Sequence, residues 1–299
     1  MNELVSIVIP TYNVGSLVAH AVASVLEQTY SDVEVIVIDD GSTDGSADHL
    51  AAFDDDRLRV VRQENRGLSG ARNAGFALSS GRYVAFLDAD DLWFPTKLDE
   101  TLPLLGDYVA VGSRMQYIGT TGKLAAAYAG QDPSQEQELI RAGQLMPFPI
   151  SGTVFQRGVV EAAGPFDESL AQVEDLDFLL RVARLGEIGW TATPLGAYRL
   201  RSGSMSAAAF GEQRKWAQFV AARAHARDRG RDLRWEDFTA TYSLTPKESR
   251  AELGAARYRL AGLLLANQDY RGIGVMLQAF ATTPRYTITR LRRQLRRRA

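Results

Sequence analysis

The sequence has 299 residues, of which 45% are hydrophobic and 23% charged, a composition typical of a folded globular protein with one large domain or two modest ones. Its 34 basic and 36 acidic side chains nearly balance, which excludes a uniformly basic nucleic-acid-binding protein. The sequence has no cysteine and only three histidines, so disulfides and thiolate metal sites are excluded and carboxylates are the expected ligands of any metal ion.

Nothing in the sequence predicts a membrane-spanning segment. The apolar run near the N-terminus follows no basic region and is too short for a secretory signal. No stretch approaches the ~20 apolar residues of a spanning helix. We therefore expect a cytoplasmic protein, either free in solution or bound peripherally to the inner face of the membrane.

Short apolar runs rich in β-branched residues alternate with amphipathic segments over the first hundred residues. The runs predict strands buried on both faces, at residues 5–9, 33–38, 58–61 and 83–87. Helical spacing predicts helices over residues 16–28 and 69–78, and Pro95 suits the first turn of another. This alternation predicts a parallel sheet with right-handed crossover connections.

The rest of the chain is mixed and then helical. Short strands are predicted at residues 109–111 and 153–155, and a helix at residues 174–185. Residues 208–299 have an almost entirely helical pattern, and Pro284 suits the start of the last helix.

Polar clusters follow the predicted strands, at residues 11–13, 39–42, 65–67 and 88–91. Parallel strands of an open sheet end at a common edge, where ligands bind. Asp88 and Asp90 are two residues apart, so their carboxylates leave the strand in the same direction and repel each other unless a cation is near. Mg²⁺ or Mn²⁺ shared with a substrate diphosphate is the expected occupant. The alternative is that these acids favour the N-terminal dipole of the next helix.

Two further segments carry candidate binding residues. One of Asp39 and Asp40 could accept a hydrogen bond from a base N–H or a ribose hydroxyl, although a purely structural role in the loop is equally compatible. Arg72, early in a predicted helix, could pair with phosphate or could be a solvated helical arginine.

Five segments in this order resemble the family 2 glycosyltransferases with the GT-A fold: VSIVIPTYN, VIVIDDGSTD, NRGLSGARNAG, YVAFLDADD and VEDLDFLLRV. The resemblance covers residues 4–206, about two-thirds of the chain. It implies a Rossmann-like α/β fold with a mostly parallel central sheet flanked by helices, followed here by a C-terminal helical extension. The implied regions are a nucleotide-sugar-binding half, an acceptor-binding half with the catalytic base and the extension, at residues 1–115, 116–206 and 207–299.

The resemblance places the nucleotide site at the ends of the first strands. It implies that Pro10, Thr11 and Tyr12 line the nucleotide pocket. It also implies that Asp40 hydrogen-bonds the base and that Arg72 faces the nucleotide.

The resemblance also assigns the donor and the base. In the D-x-D segment Asp88-Ala89-Asp90, Asp90 would bind the divalent ion, Mn²⁺ or Mg²⁺, and Asp88 the ribose or the same ion. Asp175 of the Glu174-Asp175 pair would be the catalytic base, with Asp177 as the competing candidate. One base without a nucleophile implies single displacement with inversion, in which the acceptor hydroxyl gives its proton to a carboxylate while the ion neutralises the departing diphosphate.

One departure from the family pattern concerns the metal shell. Family members often carry a histidine in a Tyr-Arg-x-His pattern where this sequence has Arg201. Arginine cannot ligate a metal ion, but it could clamp the diphosphate with two parallel hydrogen bonds. The residue that replaces the histidine ligand is left open.

The expected function is transfer of a sugar from a nucleotide-sugar donor, a UDP-sugar, to a hydroxyl of a carbohydrate or lipid-linked acceptor in polysaccharide, glycolipid or glycoprotein glycan assembly. One alternative is a haloacid-dehalogenase-like phosphatase with Asp88 as nucleophile, which leaves Asp40 and Asp175 unexplained. Another is a non-catalytic nucleotide-sugar binder. No nucleic acid partner is expected, and a homodimer is left open.

The last fifteen residues form a basic segment. Residues 285–299 contain seven arginines and no acid, which leaves 27 basic against 36 acidic side chains in residues 1–284. Ile288, Leu291 and Leu295 fall at helical spacing among these arginines. Such a helix can lie on an anionic membrane surface; a solvated terminus and an RNA-binding tail are the alternatives.

Overall fold

The computed structural model describes residues 3–118, 124–127, 150–199, 210–266 and 270–296. The chain folds as two compact units, one made of Met1–Tyr117 and Ala126–Arg199, the other of Ile118–Ala125 and Leu200–Ala299. Arg201, the predicted diphosphate clamp, lies outside the described residues.

The first unit begins with alternating strands and helices. They are β1 (Val5–Thr11), α1 (Leu17–Leu26), β2 (Val33–Asp39), β3 (Leu58–Arg62), α2 (Gly67–Leu78) and β4 (Tyr83–Phe86). All residues of β1 and β4 are buried, as expected for continuous apolar runs covered on both faces. The predicted strands and helices of this region are therefore confirmed, with α2 beginning two residues before the predicted Ser69. The predicted burial on both faces is wrong for β3, because β3 is the last strand at one side of the sheet and none of its residues is buried.

The chain continues with shorter elements. They are β5 (Leu92–Trp93), α3 (Lys97–Thr101), β6 (Ala110–Ile118), β7 (Leu124–Ala127), β8 (Thr153–Gln156), α4 (Arg157–Ala163), α5 (Glu174–Val182) and β9 (Ile188–Arg199). A single 3₁₀ turn, Ile150–Gly152, precedes β8. The strand predicted at residues 109–111 is the start of the longer β6, and the helix predicted at residues 174–185 ends at Val182.

The strands form one sheet in the order β3-β2-β1-β4-β8-β6-β9-β5, with β7 paired to β6. The strands β3, β2, β1 and β4 are parallel, whereas β8 is antiparallel to both β4 and β6, and β5 is antiparallel to β9. The expected mostly parallel sheet is thus parallel only in its first half. The direction changes because β8 begins beside the end of β4, where Asp88 N donates to Ser151 Oγ at 3.0 Å.

Helices cover both faces of the parallel half of the sheet. One face packs against the buried residues of α1, and the other packs Ile36 and Ile38 against Ala71 of α2. Helix α2 lies so close to the sheet that a Cβ on Gly75 would stand 2.2 Å from Val8 Cγ1. Glycine at this position therefore permits the close packing that brings α2 onto the sheet.

The described residues of the second unit are mainly helical, in agreement with the predicted helical extension. The helices are α6 (Phe210–Arg227), α7 (Trp235–Thr241), α8 (Pro246–Ala266), α9 (Arg271–Thr282) and α10 (Pro284–Arg296). Trp216 of α6 and Trp235 of α7 stack with ring centroids 3.7 Å apart. Within the described part of the chain, no helix combines the length and the apolar character that crossing a bilayer requires.

Candidate active site

The predicted polar clusters lie at one edge of the sheet. β1 pairs in parallel with both β2 and β4, with Thr11 opposite Asp39 and Val8 opposite Phe86. The segments that follow β2 and β4 therefore emerge on either side of β1. Because neighbouring strands lie ~4.8 Å apart, these two acidic segments are about 10 Å apart.

Asp40 fastens the loop after β2 to the loop after β3. Its Oδ1 accepts hydrogen bonds from Gln63 Nε2 at 2.7 Å and from Arg66 N at 2.9 Å. The turn that follows Asp40 requires Gly41. Its φ of +81° is one that residues with side chains rarely adopt, and a Cβ added at this position would approach Asn65 N to 3.3 Å. Asp40 thus joins the loops that precede and follow β3, and its contact with a base remains a prediction.

The predicted pocket residues of β1 differ in exposure. Pro10 is buried and in register with Ile38 of β2. Thr11 is also buried, and its Oγ1 has no hydrogen-bond partner among the residues that the structure describes. The side chain of Tyr12 is 51% exposed, so its ring is the part of this segment that a ligand can reach.

Arg72 is the central cation of the site. It is 1% exposed, with Nη1 donating to Glu174 Oε1 at 2.6 Å and Nη2 to Asp88 Oδ1 at 2.8 Å. Burial acts to lower the pKa of the guanidinium, but the charges of Asp88, Glu174 and Asp175 outweigh it and the pKa is raised. We call these four residues the Arg72 cluster.

The position of Arg72 excludes one of the two interpretations drawn from the sequence. A solvated helical arginine would be exposed, whereas Arg72 is buried. Here both terminal nitrogens bind carboxylates, so the charge of Arg72 acts on Asp88 and Glu174. A direct contact with the nucleotide stays a prediction.

Helix α2 is fastened to the loop before α5, which brings the members of the cluster together. Asn73 Nδ2 donates to Phe166 O at 3.0 Å, and Phe166 N donates back to Asn73 Oδ1 at 2.8 Å. Ser69 Oγ donates to Asp167 O at 3.2 Å. The Phe166 ring also stacks on Phe178 of α5, with centroids 4.3 Å apart. Side chains that are distant in sequence are thereby held at the same edge.

Helix α5 begins at the predicted Glu-Asp pair. Val173, just before it, has φ 56°, a left-handed conformation that is strained for a β-branched residue. Glu174 binds Arg72, while the neighbouring Asp175 is half-buried and its Oδ1 accepts from Leu176 N at 2.8 Å. Burial and the charge of Glu174 raise the pKa of Asp175 to about 7, against the opposing effect of Arg72.

The competing candidate Asp177 lies in a different environment. Its Oδ2 accepts from Arg181 Nε at 3.0 Å, and Arg181 in turn donates to Gly164 O at 3.0 Å. These contacts give Asp177 a structural role that joins α5 to the end of α4. Asp177 is thus engaged in packing, and the role of Asp175 as catalytic base stays a prediction.

The D-x-D segment forms a turn in which its three residues have different surroundings. Asp91 N donates to Asp88 O at 2.9 Å. Ala89 is buried, whereas the side chains of Asp88 and Asp90 are partly exposed. The two acidic residues of the motif are thus the ones that a ligand can approach.

Asp91 is a buried residue that supports this turn. Its Oδ1 accepts from Arg199 N at 2.9 Å, and Arg199 Nε donates to Asp90 O at 2.8 Å. Burial and the charges of Asp90 and Asp88 raise the pKa of Asp91 well above its ordinary value. Nothing local in the sequence indicates this contact, because Arg199 lies in β9, more than a hundred residues away.

The donor set at this turn fits a hard divalent ion that shares its shell with a substrate. Among the described residues, no three Asp, Glu or His side chains come together as a cage for a metal ion. Mg²⁺ and Mn²⁺ commonly use one or two carboxylates together with substrate phosphates. Asp90 and Asp88 can supply that number, although Asp88 Oδ1 is already bound to Arg72.

A buried lysine, Lys97, supports the 3₁₀ turn Ile150–Gly152, whose Ser151 contacts Asp88 of the D-x-D segment. Lys97 Nζ donates to Ser113 Oγ at 2.9 Å and to Gly152 O at 2.8 Å, in the turn that carries Ser151. It also lies 5.0 Å from the centroid of the Trp93 ring. Burial lowers the pKa of Lys97 to about 7.

This pKa predicts a pH dependence of stability. A lysine with a folded pKa of about 7 and an unfolded value of 10.5 binds more protons in the unfolded chain between these values, so its contribution to the free energy of unfolding rises with pH across that window. Lys97→Met should remove this contribution, whereas Lys247→Met, at an exposed position, should keep it. Urea unfolding across the window checks the prediction, and parallel curves for wild type and Lys97→Met would contradict it.

The comparisons with known proteins agree with this fold. The family model described as Glycosyl transferase family 2 matches residues 6–163. An uncharacterized glycosyltransferase of Nostoc sp. is 35% identical over 217 residues, which cover 68% of this chain and 67% of the relative. The Escherichia coli protein WfgD, named a UDP-Glc:alpha-D-GlcNAc-diphosphoundecaprenol beta-1,3-glucosyltransferase, is 39% identical over 103 residues, which cover 34% of this chain and 41% of the relative.

Two solved structures share the fold. TarS 1-349 of S. aureus, in complex with UDP, has a TM-score of 0.58 at 16% identity, covering 93% of this chain and 88% of that one. The mannosyltransferase PcManGT from Pyrobaculum calidifontis, in complex with GDP-Man and Mn²⁺, has a TM-score of 0.56 at 19% identity, covering 99% and 80%.

The chain belongs to glycosyl transferase family 2. The predicted family and the predicted GT-A fold are therefore confirmed, and neither the phosphatase nor the non-catalytic binder is supported. The chain spans less than half the length of the E. coli relative that it matches.

Proposed function

We propose that the chain transfers a sugar from a UDP-sugar to an acceptor hydroxyl by single displacement with inversion, with Asp175 as the general base. The observation that carries the proposal is the Arg72 cluster, in which the carboxyl of Asp175, with a pKa of about 7, lies beside the D-x-D segment that follows β4. A general base is most effective when its pKa is near the working pH.

The cluster gives its carboxylates separate tasks. Glu174 is engaged with Arg72 at 2.6 Å, and its charge raises the pKa of its neighbour Asp175. Asp175 would then accept the proton of the acceptor hydroxyl as the oxygen attacks the anomeric carbon. The proton moves to the carboxylate while the electron pair of the broken sugar–phosphate bond leaves with UDP.

The donor would bind across the ends of β1, β2 and β4. The exposed ring of Tyr12 could stack on the base, since aromatic faces pair with bases without regard to sequence. Asp40 would accept a hydrogen bond from the same base. When bound, a Mn²⁺ or Mg²⁺ ion held by Asp90 and Asp88 would supply positive charge to the departing diphosphate.

The choice of UDP and of the acceptor is supported by the relatives. WfgD is named for a UDP-Glc donor and a diphosphoundecaprenol-linked acceptor, and WfaP, also of E. coli, carries the same description. The TarS complexes contain UDP and UDP-GlcNAc. We propose a lipid-linked saccharide as the acceptor, which would bring the chain to a membrane surface.

A thermal-shift experiment tests the donor site. UDP with Mn²⁺ should raise the melting temperature more than UDP alone, because the ion joins the D-x-D carboxylates to the diphosphate. Asp90→Ala should remove the metal-dependent part of the shift and keep the part due to UDP alone. Asp56→Ala, at an exposed position just before β3, should behave as wild type.

Two results would count against this site. A metal-dependent shift that survives Asp90→Ala would place the ion elsewhere. If UDP gives no stabilisation and another nucleoside diphosphate gives a clear shift, the donor carries that other nucleotide, and the proposed sugar transfer stands.

A further inference from the structure

Helix α9 of the second unit has an apolar face that the described packing leaves open. Its buried face carries Gly272 and Ala279, and a Cβ on Gly272 would stand 2.8 Å from Leu265 Cγ of α8. The opposite face presents large apolar side chains. They are Tyr270, Ile273, Leu277 and Phe280, with exposed fractions of 80%, 53%, 67% and 46%.

These four residues form one continuous stripe. Their spacing of three, four and three residues places them within an arc of about 80° on a helix with 100° per residue. Single exposed apolar residues are normal, but a contiguous group of large ones marks an interaction surface. We call these four residues the α9 stripe.

The charge around the stripe selects the kind of partner. Residues 270–299 contain eight arginines and no acidic residue, and Arg285, Arg290 and Arg292 of α10 are exposed. Like charges brought together across an interface cost several kcal/mol, so a second copy of this segment is an unfavourable occupant. Two of the four stripe residues, Ile273 and Leu277, are aliphatic and provide no ring for base stacking, so a bilayer fits the whole stripe better than RNA does, and RNA binding is one outcome of the test below.

Helix α10 contributes charge more than apolar surface. Thr287 is buried and Ile288 is half-buried within the second unit, so part of the apolar pattern predicted for residues 285–299 is used in packing. Among the described residues, α10 exposes one large apolar side chain, Leu291, whereas Tyr270 and α9 expose four, so most of the exposed apolar surface of this segment is on α9, where the sequence pattern did not place it.

We propose that the α9 stripe and the α10 arginines together bind the surface of an anionic lipid bilayer. The stripe enters the boundary between headgroups and acyl chains, and the arginines contact lipid phosphates. This binding requires no catalysis, so its test is independent of the proposed function.

The first experiment measures sedimentation of the full chain with vesicles. Wild type should bind vesicles of mixed phosphatidylglycerol and phosphatidylcholine at least tenfold more tightly than pure phosphatidylcholine vesicles. The stripe variant Ile273→Ser/Leu277→Ser/Phe280→Ser should lose at least tenfold in affinity for the anionic vesicles. The charge variant Arg285→Gln/Arg290→Gln/Arg292→Gln should lose on the order of 100-fold, at about fivefold per arginine.

Matched controls and a reporter make the test specific. The control variants Val60→Ser/Leu185→Ser and Arg82→Gln remove exposed apolar and basic side chains from the first unit and should bind as wild type. Because the sequence has no cysteine, Leu277→Cys can carry an environment-sensitive fluorophore. Its emission should shift to the blue on anionic vesicles, and that of labelled Leu185→Cys should not.

Four outcomes would overturn the proposal. Wild type could fail to bind the anionic vesicles, or the stripe variant could bind them as wild type with no emission shift at position 277. The chain could dimerise through the stripe: light scattering would then show a dimer for wild type and a monomer for the stripe variant, while both bind vesicles equally well. A single-stranded RNA could displace the chain from vesicles, and the binding of this RNA could depend on the arginines and not on the stripe. If the stripe variant does not fold, as judged by circular dichroism, the labelled Leu277→Cys protein decides between these outcomes.

Discussion

Replacing Asp175 by asparagine is expected to lower kcat for sugar transfer by about 10²–10⁴-fold, the usual contribution of a general base. UDP binding should be unchanged, because the amide removes a proton acceptor without removing a contact of the D-x-D turn. Measuring transfer from a UDP-sugar together with UDP affinity by calorimetry separates the two effects. Asp177→Asn is the matched control, and since Asp177 binds Arg181 it should retain turnover and lose some stability.

The pKa of Asp175 adds a second readout. Since the base must be ionised, kcat/KM of wild type should rise with pH through about 7. The folded pKa lies above the ordinary 3.8, so the unfolded chain loses this proton at lower pH and the contribution of Asp175 to the free energy of unfolding falls between pH 4 and 7. Asp175→Asn should lack this fall and be at least as stable as wild type at pH 8. Full turnover in Asp175→Asn would move the base to another residue.

Replacing Arg72 by methionine is expected to lower the free energy of unfolding by about 3–5 kcal/mol, because removing one partner of a buried ion pair leaves uncompensated charge. Here the residues left behind are Asp88 and Glu174. Urea unfolding checks this value. Arg82→Met is the control: Arg82 also pairs with a carboxylate, that of Glu3, but it is exposed, and such pairs contribute about 0–1 kcal/mol.

A second substitution shows whether the lost stability comes from the stranded charge. Arg72→Met combined with Glu174→Gln should recover part of the stability, since one buried carboxylate is neutralised. Equal stability of wild type and Arg72→Met would show that the ion pairs do not support the fold.

Much of the fold could be predicted because its signals are local. The apolar runs of β1, β2 and β4 predict burial on both faces, and the polar residues after them predict the ligand edge; β3, the last strand at one side of the sheet, follows the predicted position but is not buried. The antiparallel half of the sheet could not be predicted in this way, because β8 finds its place beside β4 through contacts such as that of Ser151 with Asp88, 63 residues apart.

The candidate site likewise contains residues that the sequence could predict and contacts that it could not. The motif residues Asp88, Asp90 and Asp175 could be selected from the sequence because the family pattern contains them. The pairing of Arg72 with Glu174 spans 102 residues, and the support of the D-x-D turn by Lys97 has no sequence signature. Such contacts depend on packing, which a periodic pattern does not specify.

The reciprocal amide contact between Asn73 and the backbone of Phe166 has a consequence for how the enzyme can move. It fastens α2, which carries the Arg72 guanidinium, to the segment that leads into Asp175, the proposed general base. Any rearrangement that admits the acceptor and releases the nucleotide must then leave this pair of hydrogen bonds intact or break both together. Motion during turnover is therefore expected in segments outside this clamp, with the proton acceptor and its cationic neighbour travelling as one rigid body.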